Sequence, residues 1–104
     1  MNKDNNFLLI GTIAEEPEKK TFEKFSLGTV IIKCPTTKKK GDGVEKAFLP
    51  ITGYGDVCDV IMSLRVGDKV EAFGEIRSRE WINPAGKEFT FFSFLAERII
   101  IKES

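Results

Sequence analysis

Arg77, Arg79 and Trp81 fall at every second residue of Arg77-Ser78-Arg79-Glu80-Trp81. On an extended strand, alternate side chains share one face, about 7 Å apart per two-residue step. Two guanidiniums at that interval match the spacing of phosphates along an extended polyanion, and an indole beside them can stack on a flat ring. The competing reading of the same residues is an exposed strand face with a half-buried Trp covering the end of a barrel.

A second group of cations is Lys38-Lys39-Lys40, on a loop with Gly41-Asp42-Gly43, flanked by Lys33 and Lys46. Such a loop can close over a polyanion and gain affinity by releasing counterions. A lysine run is also the ordinary composition of a solvated loop tip. Nine Phe, one Trp and one Tyr are a third signal, a heavy aromatic load for 104 residues. Phe48 and Tyr54 lie on or near one strand. Phe89, Phe91, Phe92 and Phe94 lie on another, where the adjacent pair Phe91 and Phe92 must point to opposite faces.

Other chemistries lack their residues. The chain has no His, and its two cysteines, Cys34 and Cys58, stand far apart with no Cys-x-x-Cys spacing. Zinc sites draw on clustered Cys and His, and Ser-His-Asp chemistry needs an imidazole base. There is no phosphate-loop glycine pattern and no evident carboxylate pair. The expectation is a protein that is not an enzyme and uses no cofactor or metal. Its 16 basic and 16 acidic residues cancel to a formal net charge of zero, so any nucleic-acid affinity must come from local charge. No apolar run approaches the roughly 20 residues that span a bilayer. The polar start, without a signal-peptide core, and two lone cysteines lead us to expect a cytoplasmic protein without membrane contact.

The elements that must hold these residues are mostly strands, in one compact domain over 1–104. Phe7–Ile13 is a short apolar run of strand length. Phe25–Lys33 is rich in β-branched residues, with Gly28 suggesting a bulge or bend that lets the sheet curl. Val44–Thr52 contains Pro50, which favours an edge or an irregularity. Val57, Val60, Ile61 and Leu64 mark one face of a short helix, with Asp56 as its cap and Gly67 as its left-handed end. Lys69–Ile82 and Glu88–Ile101 form long strands around the turn Asn83-Pro84-Ala85-Gly86. Three strands, one helix and two strands predict an all-β OB-fold, a five-stranded Greek-key barrel with one short helix between strands 3 and 4. Cations and aromatics interleaved on such a barrel form the pattern of sequence-tolerant single-strand binders.

The chain also resembles the bacterial single-stranded DNA-binding protein family over nearly its whole length. Asn6-Phe7-Leu8-Leu9-Ile10-Gly11-Thr12-Ile13 with Glu16-Pro17-Glu18 is similar to the family's opening strand and turn. The run from Arg65-Val66-Gly67-Asp68 to Arg77-Ser78-Arg79-Glu80-Trp81 is the most specific segment. Asn83-Pro84-Ala85-Gly86-Lys87 is similar to the hairpin turn that follows it. The resemblance implies binding of single-stranded DNA in replication, recombination or repair. It makes Trp81 a base-stacking residue, with Arg77 and Arg79 beside it and Phe48 and Tyr54 as further stacking aromatics. It places Lys38, Lys39 and Lys40 in a loop that folds over DNA, and implies a homo-oligomer, tetramer or dimer, paired through the first strand.

Two departures stand out. Cys34-Pro35-Thr36-Thr37 occupies a place where the family often has an aromatic. The sequence given stops at Ile101-Lys102-Glu103-Ser104, where the family usually carries a linker and an acidic tip, so tail-mediated recruitment of replication proteins is not expected. A short form of this kind suits a phage or mobile-element protein. The alternative is an OB-fold protein-interaction or primosome-assembly module with weak nucleic-acid binding. Burial of the Arg77/Arg79/Trp81 face against another chain would favour it.

Overall fold

The structure is a computed structural model that describes residues 4–36 and 46–102. Six strands and one helix follow in the order β1 (Phe7–Ile13), β2 (Glu18–Thr21), β3 (Ser26–Pro35), β4 (Lys46–Tyr54), α1 (Gly55–Ser63), β5 (Lys69–Ile82) and β6 (Glu88–Lys102). The sheet order is β1-β5-β6-β4-β3-β2, and a second pairing of β1 with β3 closes it.

Strands β1 and β2 lie end to end along one edge of β3. β1 meets it at Thr12↔Lys33 and Ile13↔Ile32, and β2 meets it from Glu18↔Thr29 to Thr21↔Ser26. The two therefore act as one bent strand, and the closed barrel has five, as the order of elements predicts. β2 itself is a departure, since Glu-Lys-Lys-Thr is fully exposed and has no apolar alternation to reveal a strand. Its backbone bonds to β3, closed by the Phe22 N–H donating to the Phe25 carbonyl at 2.7 Å, hold it in place.

Inward-pointing residues fill the barrel: Ile13, Val30, Ile32, Ile51, Val70, Ala72 and Ala96 are all buried. Helix α1 adds Ile61 to this core, and Leu64 follows just past its end. The helix lies close against β3 and β4 because Gly28 and Gly53 present no side chain. A Cβ on Gly53 would sit 2.4 Å from Val57 Cγ1, and one on Gly28 3.2 Å from Cys58 Sγ. The register of β3 runs unbroken through Gly28, which rules out the bulge of the two expected alternatives, bulge or bend; close helix approach accounts for that glycine. A bulge lies instead on β6, where Glu97 is the extra residue opposite the Phe73–Gly74 step of β5.

The helix ends also differ from expectation. Its N-cap is Tyr54, with no side-chain capping bond, and Gly55 makes the strand-to-helix corner at a φ of +57°. Asp56 stands one residue further in, where its charge complements the helix dipole. The C-cap is Leu64 in an extended conformation; Gly67, at φ +95°, serves the turn into β5, donating its N–H to the Ile13 carbonyl. Pro50 does fall where ladder bonding is one-sided, because β4 meets β6 only at Ile51↔Phe94 and Thr52↔Leu95.

Past the barrel rim, among the described residues, β5 and β6 pair only with each other. β1 covers β5 up to Gly74 and β4 covers β6 from Phe94, so residues 77–82 and 88–93 form a two-stranded ribbon. Asn5 fixes its root. The Asn5 amide donates from Nδ2 to the Ile76 carbonyl at 2.7 Å and accepts the Ile76 N–H at Oδ1 at 3.0 Å. The side chain thus continues the β1 ladder by one step. At the tip, Asn83 Oδ1 accepts the Lys87 N–H at 2.9 Å and the Gly86 N–H reaches the Asn83 carbonyl.

Candidate nucleic-acid interface

Cross-strand register sets the composition of the ribbon's binding face. Trp81 pairs with Phe89, Arg79 with Phe91 and Arg77 with Ser93. Trp81 is half exposed, and its ring centroid lies 5.5 Å from that of Phe89 at an interplanar angle of 31°. Phe89 in turn lies 6.4 Å from Phe91 at 25°. Three rings thus form a nearly parallel row, and Lys87 Nζ sits 5.4 Å from the Phe89 centroid. Trp81 and Phe91 are exposed with Phe89 half-buried between them, and such a row of flat apolar faces with cations alongside suits unpaired bases on a phosphate chain.

The row continues onto the barrel. A recess is lined by Tyr54, Thr52 and Leu27 on one side and by Arg77, Phe91 and Ser93 on the other. Thr52 Oγ1 reaches the Phe94 carbonyl at 3.5 Å, bridging β4 to β6 at the floor of this region. Tyr54 is exposed, as stacking requires. Phe48, 60 % exposed, shares the outward face of β4 with Tyr54 but lies six residues away, about 20 Å along the strand. Lys33 is its direct cross-strand neighbour, and Lys46 is exposed on the same side.

The structure therefore brings together Trp81, Arg77 and Tyr54, with Arg79 at the register position between the first two. It sets Phe48, Lys33 and Lys46 apart as a second cluster. Lys38, Lys39 and Lys40 lie outside the described residues. Phe91 and Phe89 are the lining residues that strand-by-strand reading left without a role. Pairing the hairpin through the Asn83–Lys87 turn would have placed them opposite Arg79 and Trp81. Phe92 and Phe91 do take opposite faces, yet both are exposed, because both lie beyond the barrel; Phe94 is the one that packs inward, edge-on to Phe7 at 5.3 Å.

Charge in the site is partly neutralised. Arg77 Nη2 lies 2.6 Å from Glu75 Oε1, and its Nε donates to the same oxygen. Among the described residues, no group of three His, Cys, Asp or Glu side chains converges as a metal site would.

Comparison with known proteins decides the family. The model of the single-strand binding protein family matches residues 4–101. The chain belongs to that family. Among solved structures it is similar to a Plasmodium falciparum SSB in complex with ssDNA. The TM-score is 0.80 and the identity 19 %, over 99 % of this chain and 100 % of the other. At that identity the likeness concerns the fold. A search of curated proteins finds no match. For this single-strand binding protein, the site residues can now be read on an OB-fold barrel whose aromatic ribbon faces outward.

Proposed function

We propose that this protein covers single-stranded DNA with little sequence preference during replication, recombination or repair, through stacking on the Trp81–Phe89–Phe91 row and phosphate contacts from Arg77 and Arg79. The observation that carries this reading is the row with exposed Trp81 and Phe91 at its ends, continuous with the Tyr54 recess, on the barrel of a single-strand binding family member. Every base has a π-face, so stacking accepts any sequence, while phosphate contacts carry no sequence information. Phe48, with Lys33 and Lys46, serves a second portion of the strand, and the Lys38–Lys40 loop covers it. The protein acts by binding and catalyses no reaction.

The test is a titration of intrinsic Trp fluorescence with oligo-dT and with duplex DNA at two salt concentrations. Quenching by the single strand, weakened by salt and absent with duplex, is expected. Equal affinity for duplex would overturn the reading.

We also propose a homo-oligomer assembled through β1. Leu8 and Ile10 are exposed on that strand, and among the described residues Phe7–Ile10 pair with β5 alone. Light scattering should give a mass that is a multiple of 11.7 kDa. A cytoplasmic location accords with two free thiols, and no helix among the described residues is long and apolar enough to cross a membrane.

A further inference from the structure

The turn between β2 and β3 carries aromatics that the reading above does not use. Phe22 and Phe25 flank this four-residue turn and stack on one another, centroids 4.7 Å apart at 28°. They are 46 % and 48 % exposed. A stacked pair of rings held half in water at a hairpin tip contributes little to a core. It is an open apolar platform. The ring of Phe25 meets Tyr54 edge-on at 5.5 Å, so the platform adjoins the recess that Tyr54 shares with Arg77 and Phe91.

Charge around the platform is mixed. Lys19 and Lys24 line the hollow beside Phe25, and Lys20 is exposed on β2. Glu23 is the turn's own carboxylate, and Asp56 and Asp59 stand on the helix side of the hollow. The cations open to a polyanion leaving Tyr54 are those of β2 and its turn, set beside Glu18 and Glu23.

We infer that Phe25, with Phe22 behind it, is an additional base-stacking station for single-stranded DNA. The strand runs on from Tyr54 over the β2–β3 turn, its phosphates beside Lys20, which shares the face of Leu27 and Tyr54, and Lys24. This rests on the single-strand binding reading and adds a station to it. Stacking tolerates any base, and an OB-fold of this kind holds roughly 4–16 nucleotides, which leaves room for one more contact beyond the recess.

The experiment is a length series of oligo-dT, from about 4 to 16 nucleotides, read by quenching of Trp81 on the wild type and on a Phe22→Ala/Phe25→Ala variant. Short oligomers that fill only the Trp81–Tyr54 portion should bind both proteins alike. Beyond a threshold length the wild type should gain affinity and the variant should not, a gap of at least about fivefold. Superimposed curves at all lengths would overturn the inference. So would a loss that is equal at all lengths, because it would mean that Phe25 only props Tyr54. A Phe25→Trp variant made on Trp81→Phe gives a second readout: its emission should be quenched by long oligomers and not by short ones. If no oligomer quenches Trp81 in the wild type, the single-strand reading itself fails, an outcome distinct from either of those.

Discussion

Arg77 donates from Nε to Glu75 Oε1 at 2.7 Å, so the cation nearest the Tyr54 recess arrives already paired with a carboxylate. Glu75 is the more enclosed partner, 15 % exposed against 59 % for Arg77. A guanidinium has five N–H groups, and those not given to Glu75 remain for phosphate. The carboxylate still discounts the attraction. Glu75→Gln keeps the shape and removes the charge. It should tighten oligo-dT binding roughly two- to fivefold at low salt, the scale of an exposed ion pair, with the gain shrinking at high salt. Arg77→Ala should flatten the slope of log K against log salt by about 0.7, the single-strand value for one lost phosphate contact. Titrations at four salt concentrations check both, and an unchanged slope would remove Arg77 from the phosphate path.

Trp81 and Phe89 offer one composite surface, and the two should respond differently to truncation. Trp81→Ala should cost about 1–3 kcal/mol of binding, the range for one stacked base. Its effect on stability should stay within about 0.5 kcal/mol, because the ring is half in water and buries little. Phe89→Ala leaves the indole present but without its 5.5 Å neighbour, so binding should weaken less and Trp81 emission should shift in the free protein. Fluorescence titration and thermal denaturation of both variants distinguish these outcomes.

Much of this site is legible in the residues, and the parts that are not have physical reasons. The limits of β1 and β5 follow from apolar runs and turn residues, and the helix stripe from its i, i+3, i+4, i+7 spacing, because burial imposes those patterns. β2 leaves no such mark, since only its backbone is used. Asn5 is equally silent: a polar residue before a strand reads as solvent-facing, and its two bonds to Ile76 span 71 residues of sequence. The placement of Gly28 and Gly74 shows the same limit. Both break a strand pattern, but only the fold reveals that one makes room for a helix and the other lies opposite the bulge of β6. The pairing of Arg77 with Glu75 was within reach, since residues two apart on a strand share a face.

Cys34 is buried beneath Gly11, and desolvation raises its thiol pKa. The unfolded thiol ionises near pH 8.5, so the folded state holds its proton more tightly. That difference stabilises the fold fully below the unfolded value and is lost as pH rises through the folded one. The stability advantage of the wild type over Cys34→Ala should therefore shrink above about pH 8.5, measured by urea denaturation across pH. Native Cys34 should also react slowly with a thiol reagent at neutral pH and quickly once unfolded. Fast native labelling would contradict the burial.

Asn5 should matter to binding without touching DNA. Its amide supplies both hydrogen bonds that a further β1 residue would give to Ile76, where the ribbon leaves the barrel. Asn5→Ala should leave the core intact and loosen the ribbon root. Hydrogen exchange at the Ile76 amide should accelerate, while amides of β3 keep their protection. Oligo-dT affinity should fall because the ring row is then less well oriented towards the Tyr54 recess. Unaltered exchange at Ile76 would remove Asn5 from this role.

The bulge at Gly74 aims the ribbon in the first place. The register steps from Phe73↔Arg98 to Gly74↔Ala96, so β6 carries one residue more than β5 there and the pair twists more sharply. A Cβ on Gly74 would lie 1.9 Å from the Leu95 carbonyl oxygen and 2.9 Å from the Ala96 Cα. Both are backbone atoms of the partner strand, with no rotamer to move aside. Gly74→Ala must then push β6 away or shift the register, at the upper end of the 1–3 kcal/mol typical of overpacking, so about 2–3 kcal/mol. Either response displaces Phe89 and Phe91 relative to Tyr54. The expected result is a lower unfolding midpoint together with oligo-dT binding weakened by more than the loss of folded protein accounts for. A variant of normal stability and normal affinity would show that the ribbon tolerates a side chain where the backbone of β6 leaves no space for one.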